Sequence, residues 1–199
     1  MPERASGSRA ERERMRIFLA VFPSAAAQAA AADAIEKLRR PGDAVSWVRQ
    51  DNLHYTLRFL GDLGEDGCRR AALAAHDAAR AHASFDAALG PLGAFPKPER
   101  ARVLWVGLSA GAEPFVAMAR DLEHALRQRG FDRADRPFAP HLTIGRVRDR
   151  DQDWSLPLAD LVIDPPVRFR VDRIAVVHST LSPKGSIYRV REEVALGGG

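Results

Sequence analysis

Cysteine is almost absent from this 199-residue chain. Cys68 stands alone, so it forms no intrachain disulfide, which fits a reducing compartment. It opens an alanine-rich helical run in Asp66-Gly67-Cys68-Arg69-Arg70 without a His and Asn beside it, and reads as a packing residue rather than a nucleophile. Long apolar runs are missing too. Nothing approaches the roughly 18 consecutive apolar residues of a membrane span. The nearest imitation is Ile17-Phe18-Leu19-Ala20-Val21-Phe22, which follows Arg14-Met15-Arg16 and precedes an alanine tract, as a signal peptide would. Pro23 interrupts it after a short stretch and Ser24 is a helix-capping residue, so the reading is a buried strand followed by a helix, in a cytoplasmic protein. Clusters of His, Cys and Glu at metal-ligand spacing are absent as well, which leaves zinc without a third ligand and predicts no metal and no cofactor.

What is present is ordinary globular material. Hydrophobic residues at 46% and charged residues at 28% argue against wholesale disorder, and the length suits one domain or two closely joined lobes. The formal charge of +4 comes mainly from arginine, whose planar fork suits phosphate, although a charge of this size is also a common solubility feature. Residues 1–14, rich in Arg, Glu, Ser and Gly, read as a disordered N-terminal tail, Gly197 to Gly199 as a loose end, and 15–196 as a single bilobal domain of two pseudo-symmetric halves.

Strand-like runs cover 16–22, 44–48, 52–60, 84–89, 103–108, 141–147, 167–178 and 186–194. Helical runs cover about 24–40, 65–82 and 112–130, the last ending at Gly130 as a C-cap. In that last run Phe115, Met118, Ala119, Leu122 and Leu126 form one apolar stripe while Arg120, Glu123 and Arg127 face outward. The order strand, helix, strands is run through twice, which predicts an α+β fold in two similar halves.

The halves share a motif. His54-Tyr55-Thr56-Leu57 recurs as His141-Leu142-Thr143-Ile144, each opening a strand. Strict alternation puts His54, Thr56 and Arg58 on one face and Tyr55, Leu57 and Phe59 on the other. It likewise puts His141, Thr143 and Gly145 opposite Leu142, Ile144 and Arg146. Phosphodiester transfer needs a base, an acid and donors for the non-bridging oxygens. Imidazole titrates near ~6.5, so one neutral and one protonated ring can coexist at neutral pH, and Thr56 and Thr143 add hydroxyl donors. A single strand histidine is as a rule a hydrogen-bonded structural residue and threonine simply a good strand former. Two copies in corresponding places point to a paired catalytic site. His76, His82 and His124 lie on helical runs without a partner motif and read as surface or packing residues.

On these residues the chain resembles the two-histidine phosphoesterase superfamily, within it the bacterial and archaeal RNA 2′,3′-cyclic phosphodiesterases also called 2′-5′ RNA ligases. The resemblance spans nearly all of 15–194. It includes Met15-Arg16-Ile17-Phe18-Leu19-Ala20, Trp47-Val48, Asn52-Leu53-His54-Tyr55-Thr56-Leu57-Arg58-Phe59-Leu60-Gly61, Gly93-Ala94-Phe95-Pro96, Arg102-Val103-Leu104-Trp105 and Arg136 to Arg146. Tyr55 departs from the pattern, where Leu is frequent, on the face away from the cleft. The resemblance implies a bilobal α+β fold, two antiparallel sheets flanking a central cleft with helices outside. It also implies metal-independent hydrolysis of a terminal 2′,3′-cyclic phosphate to a 2′-phosphate. Carried onto this sequence, His54 would be the proton donor to the departing 3′ oxygen and His141 the proton acceptor that activates water. Thr56 and Thr143 would hold the phosphate, with Arg146, Ser179 and Arg102 as further contacts.

Phe59 is a candidate platform for the terminal base, since aromatic faces stack nucleobases with little preference. RNA ends or small cyclic nucleotides are the expected partners, with no membrane and a monomer. The alternatives are a reversible 2′-5′ RNA ligase, using the same groups in reverse, and a non-catalytic nucleotide- or RNA-binding module of the same fold.

Overall fold

The stretch that imitates a signal peptide is a central strand and its crossover helix: β1 (Met15–Val21) leads into α1 (Ala25–Leu38). The Ser24 hydroxyl accepts from the Ala27 N–H at 3.3 Å, the cap that the sequence predicts. Residues Ile17 to Val21 are all buried, so the strand has no solvent face and carries no alternation to read. The computed structural model describes residues 14–148, 152–183 and 185–197. Apart from Arg14, the N-terminal tail expected from the sequence lies outside these residues, as do Gly198 and Gly199. Among the described residues, no helix is long and apolar enough to cross a membrane.

The remaining elements follow in chain order. They are β2 (Val45–Trp47), β3 (Tyr55–Leu63), α2 (Glu65–Arg80), β4 (Phe85–Phe95), β5 (Val103–Ala110), α3 (Ala112–Gln128), β6 (Leu142–Val147), α4 (Ser155–Ala159), β7 (Arg168–Val171), β8 (Arg173–Ser182) and β9 (Gly185–Ala195). Hydrogen bonds join the strands in the order β7-β4-β5-β6-β3-β1-β8-β9, with β2 added on β6. The sheet is antiparallel and curled. The two sheets implied by the resemblance are its two lobes, β3-β1-β8-β9 and β7-β4-β5-β6, which meet at β3 and β6 through the single pair Tyr55↔Leu142. Each lobe places a motif strand at the junction and its partner, β1 or β5, one step out.

Helices cover one face of this sheet and bury its core. On α3 the predicted stripe holds: Phe115, Met118, Leu122 and Leu126 are fully buried. Glu123 departs from the outward reading and turns back to Arg58 at 3.1 Å. The C-cap also holds, because Gly130 has φ +78° and the Phe131 N–H returns to the Leu126 carbonyl at 3.2 Å.

Two strands differ from the sequence reading for physical reasons. The expected run 84–89 continues to Phe95 as β4, because a shift in the pairing with β5 between Leu89 and Leu92 absorbs Gly90-Pro91. The expected run 167–178 is two strands. Asp172 separates β7, paired to β4 in one lobe, from β8, paired to β1 in the other.

Candidate active site in the cleft

The motif histidines stand one residue ahead of their strands, each with Nδ1 against the carbonyl two residues back. A 3-10 turn, Gln50–Asn52, brings the chain to His54, whose Nδ1 lies 2.6 Å from the Asn52 carbonyl oxygen. On the other side the Nδ1 of His141 lies 2.7 Å from the Ala139 carbonyl oxygen. A carbonyl only accepts, so in both neutral rings Nδ1 carries the proton and Nε2 presents its lone pair. For His54 that lone pair faces the Thr56 hydroxyl at 2.9 Å. Tyr55 and Leu142 pair with their side chains in the core. Continuing that antiparallel register by one residue each way sets His54 opposite Thr143 and Thr56 opposite His141.

Alternation then fails, at the same place in both strands. Along β3, Thr56 pairs with Ala20 but Arg58 pairs with Leu19, so Leu57 is an extra residue. Along β6, Thr143 pairs with Trp105 but Gly145 pairs with Leu104, so Ile144 is extra. Each bulge lies one residue past the threonine and moves everything beyond it by one step. Arg58, expected beside His54, instead leaves the cleft to meet Glu123 and to donate to the Asp132 carbonyl at 2.6 Å. Phe59 and Arg146, expected on the far face, line the cleft. At the position matching Arg58, Gly145 is packed under β2, where a Cβ would come within 2.9 Å of Val45 and 3.0 Å of Trp47.

The cleft has a volume of about 310 Å³ and brings together His54, Thr56, Thr143, Arg146, Ser179 and Phe59. His141 stands at its margin, with the Phe95 ring edge-on at 5.1 Å. Arg102 does not line it. Its backbone, bonded to Phe95 and Val147, holds the residue at the exposed start of β5. Two lining cations, Arg16 and Arg146, have no carboxylate beside them in the wall among the described residues, an arrangement of charge that suits an anion. Burial pushes the His54 imidazole down to about 4, helped by the positive charge of Arg146 and His141 and opposed by the Asn52 carbonyl. The ring is boxed by Phe18 at 4.8 Å and by Tyr188 edge-on at 5.2 Å. Phe59 is 46% exposed, with the Arg16 guanidinium 5.2 Å over its ring. Ser179, 7% exposed, pairs with Arg16 across β1 and β8.

Several lining residues were not singled out from the sequence. Phe18 sits in a continuous apolar run that hides its cleft face, and Arg16 stands just ahead of that run. Tyr188 and Ser186 arrive from the β8–β9 hairpin, far away in the chain. Asn52 stood in the motif context without a recognised role. Of the other four histidines, three are paired on the surface or on helices, His76 with Glu192 at 2.6 Å, His82 with Asp121 at 2.9 Å and His124 with Gln128 at 2.9 Å, and His178 lies on β8 opposite Ile17. A larger groove of about 580 Å³, beside α2, contains Cys68. Its Glu65, Asp66 and Glu192 are matched by Arg191, Arg69 and His76, so its charge is compensated where that of the cleft is not. Burial raises the Cys68 thiol, in keeping with a packing role. Among the described residues, no three His, Cys, Asp or Glu side chains gather within reach of one metal ion.

Comparison with known proteins agrees with this geometry. Residues 23–182 match the 2′-5′ RNA ligase superfamily. A Thermotoga maritima protein named RNA 2′,3′-cyclic phosphodiesterase is 32% identical over 185 residues, covering 93% of this chain and 97% of that one. A solved structure from Thermus thermophilus superposes with a TM-score of 0.77 at 31% identity, covering 92% of this chain and 99% of the other. Escherichia coli LigT complexed with 3′-AMP superposes at 0.74 with 25% identity, covering 92% and 99%. With the fold, the paired motifs and these relatives in agreement, the chain belongs to the 2′-5′ RNA ligase superfamily.

Proposed function

We propose that this protein is an RNA 2′,3′-cyclic phosphodiesterase that opens the cyclic end to a 2′-phosphate without a metal, and that it works as a monomer, since one chain carries both histidines. The observation that carries this reading is the pair of imidazoles in one tautomer, each two residues ahead of a threonine hydroxyl, at a cleft whose lining, among the described residues, holds two cations and no carboxylate. The activity named for the relatives supports it.

In the reaction, a water oxygen bonds to phosphorus as the bond from phosphorus to the 3′ oxygen breaks. His141 Nε2 takes the proton from the water, and His54 Nε2–H delivers one to the departing 3′ oxygen. Thr56, Thr143 and the Arg146 guanidinium hold the non-bridging oxygens, with Ser179 beside them, where the developing charge is greatest. Phe59 offers its exposed face to the terminal base.

His54 is neutral in the empty cleft, so its working proton has to be taken up from solvent as the substrate binds. The anionic phosphodiester offsets the positive charge of Arg146 next to the ring, raising its proton affinity where the acid is needed. Arg146 thus grips the substrate and, before substrate binds, adds to the burial that keeps His54 unprotonated.

The test is an oligoribonucleotide with a 2′,3′-cyclic end, incubated with the protein in excess chelator. The expected product is the 2′-phosphate. A 3′-phosphate would reverse which oxygen leaves, and loss of turnover on chelation would contradict a metal-free reaction.

A further inference from the structure

The two histidines are held alike, each by the carbonyl two residues back, and differ in what holds that carbonyl. The residue whose carbonyl fixes His141 is Ala139, whose methyl side chain can make no hydrogen bond. The residue whose carbonyl fixes His54 is Asn52, and its side-chain amide donates to the Ser186 carbonyl of β9 at 2.8 Å, across 134 positions of sequence. Asn52 therefore bonds in two directions at once. Its main chain sets which nitrogen of His54 is protonated, and its side chain grips the β8–β9 hairpin.

That hairpin is a wall of the cleft. Leu181, Ser186 and Tyr188 line it, and Tyr188 meets the edge of the His54 ring. Leu181 and Ile187 near the tip are 68% and 51% exposed and so anchor it little. The Asn52 amide is a cross-link between this tip and the turn Gln50–Asn52.

We propose that Asn52 is a positioning residue that couples the placement of the β8–β9 hairpin to the tautomer and orientation of His54. The proposal rests on the acid role given above to His54, and it assigns Asn52 no contact with the reacting atoms. With the latch closed, the Asn52 carbonyl faces Nδ1–H and the Nε2 side points into the cleft. With the latch broken, the turn and the hairpin separate, the carbonyl leaves Nδ1 and the ring loses the constraint that chooses between its two neutral forms.

Asn52→Ala removes the amide, and Asn52→Asp keeps the shape while replacing the donor by an acceptor that repels the Ser186 carbonyl. Ring ¹⁵N shifts of His54 in the free protein at neutral pH read the tautomer without reference to activity. The wild type is expected to give one form, protonated at Nδ1, and both variants a mixture. On RNA with a 2′,3′-cyclic end, kcat is expected to fall about tenfold in each variant, the usual size of an effect exerted through a partner of the working ligand. KM is expected to change less than kcat. The Asp variant carries the same expectation if the Ala variant does not fold. A single Nδ1–H tautomer with kcat within twofold of wild type, in either folded variant, would overturn the coupling. Full activity in His54→Ala would instead remove the acid role itself, an outcome that the tautomer measurement reads separately.

Discussion

The His54 and His141 strands begin alike and then part company, position by position. Both start on an imidazole held by the carbonyl two residues back, both continue to a threonine, and both bulge one residue later. Beyond the bulge, one offers the cleft an aromatic ring, Phe59, and the other a cation, Arg146. His54 is enclosed by Phe18 and Tyr188 and driven towards the neutral form, whereas the carbonyl bond of His141 is exposed and the ring is touched edge-on by Phe95. A repeated backbone thus provides two rings in the same tautomer, and unequal surroundings set them apart. The backbone accounts for what the halves share, and the side chains just past the bulge account for how they differ.

The largest effects expected are at the shared positions. His54→Ala and His141→Ala should each lower kcat by about 10² to 10⁴, the span attributable to a positioned acid or base, in steady-state assays on cyclic-ended RNA. An unequal loss, with one variant near wild type, would mean that the strands are not partners in one reaction.

Next in size is the acid response of folding. The His54 imidazole is at about 4 in the folded protein and near 6.5 when exposed, so between those values the unfolded chain binds the extra proton. The stability that follows is complete above about pH 6.5 and is lost as pH falls towards 4. It amounts to roughly 3 kcal/mol at about 1.4 kcal/mol per pH unit. Urea titrations at pH 7 and pH 4.5 should show this loss in the wild type and its removal in His54→Gln. An equal loss in both would assign it to groups other than His54.

The positions past the bulge should separate cleanly. Arg146→Ala removes a charge-assisted grip on phosphate and is expected to cost about 2 kcal/mol, roughly thirtyfold in kcat/KM, whatever the base. Phe59→Ala removes a stacking face worth about 1 to 3 kcal/mol, and the loss should shrink on a cyclic phosphate that carries no base. The same loss on both substrates would contradict a base platform.

The smallest effect lies just after the histidines, where Tyr55 faces Leu142. The Tyr55 ring is fully buried against Phe115 and Phe169, and its hydroxyl has no hydrogen-bond partner among the described residues. Tyr55→Phe should raise the stability by about 1 kcal/mol in urea denaturation and leave kcat unchanged.

Much of this was legible in the sequence, for reasons that particular residues show. The α3 stripe from Phe115 to Leu126 repeats with the period of a helix and packs as read. Pro23 and Ser24 separate strand from helix as their chemistry requires. The bulges were not legible, because an extra residue is a property of two paired strands and leaves no mark in one. Strict alternation therefore put Arg58 in the cleft and left Phe59 and Arg146 outside it, the reverse of what pairing to Leu19 and Leu104 imposes. The break at Asp172 is hidden in a run of uniform strand character, and only the destinations of β7 and β8 in opposite lobes reveal it. The hold of Asn52 on Ser186 depends on a hairpin far along the chain, which no local pattern reports.

The division of labour between the two histidines has one most direct test. A cyclic phosphate with sulfur in place of the 3′ oxygen releases a thiolate, a far weaker base than an alkoxide, which leaves without a proton. On that substrate His54→Ala should recover most of its lost rate while His141→Ala stays slow. Recovery in His141→Ala alone would exchange the roles, and recovery in neither would contradict proton donation to the 3′ oxygen by His54.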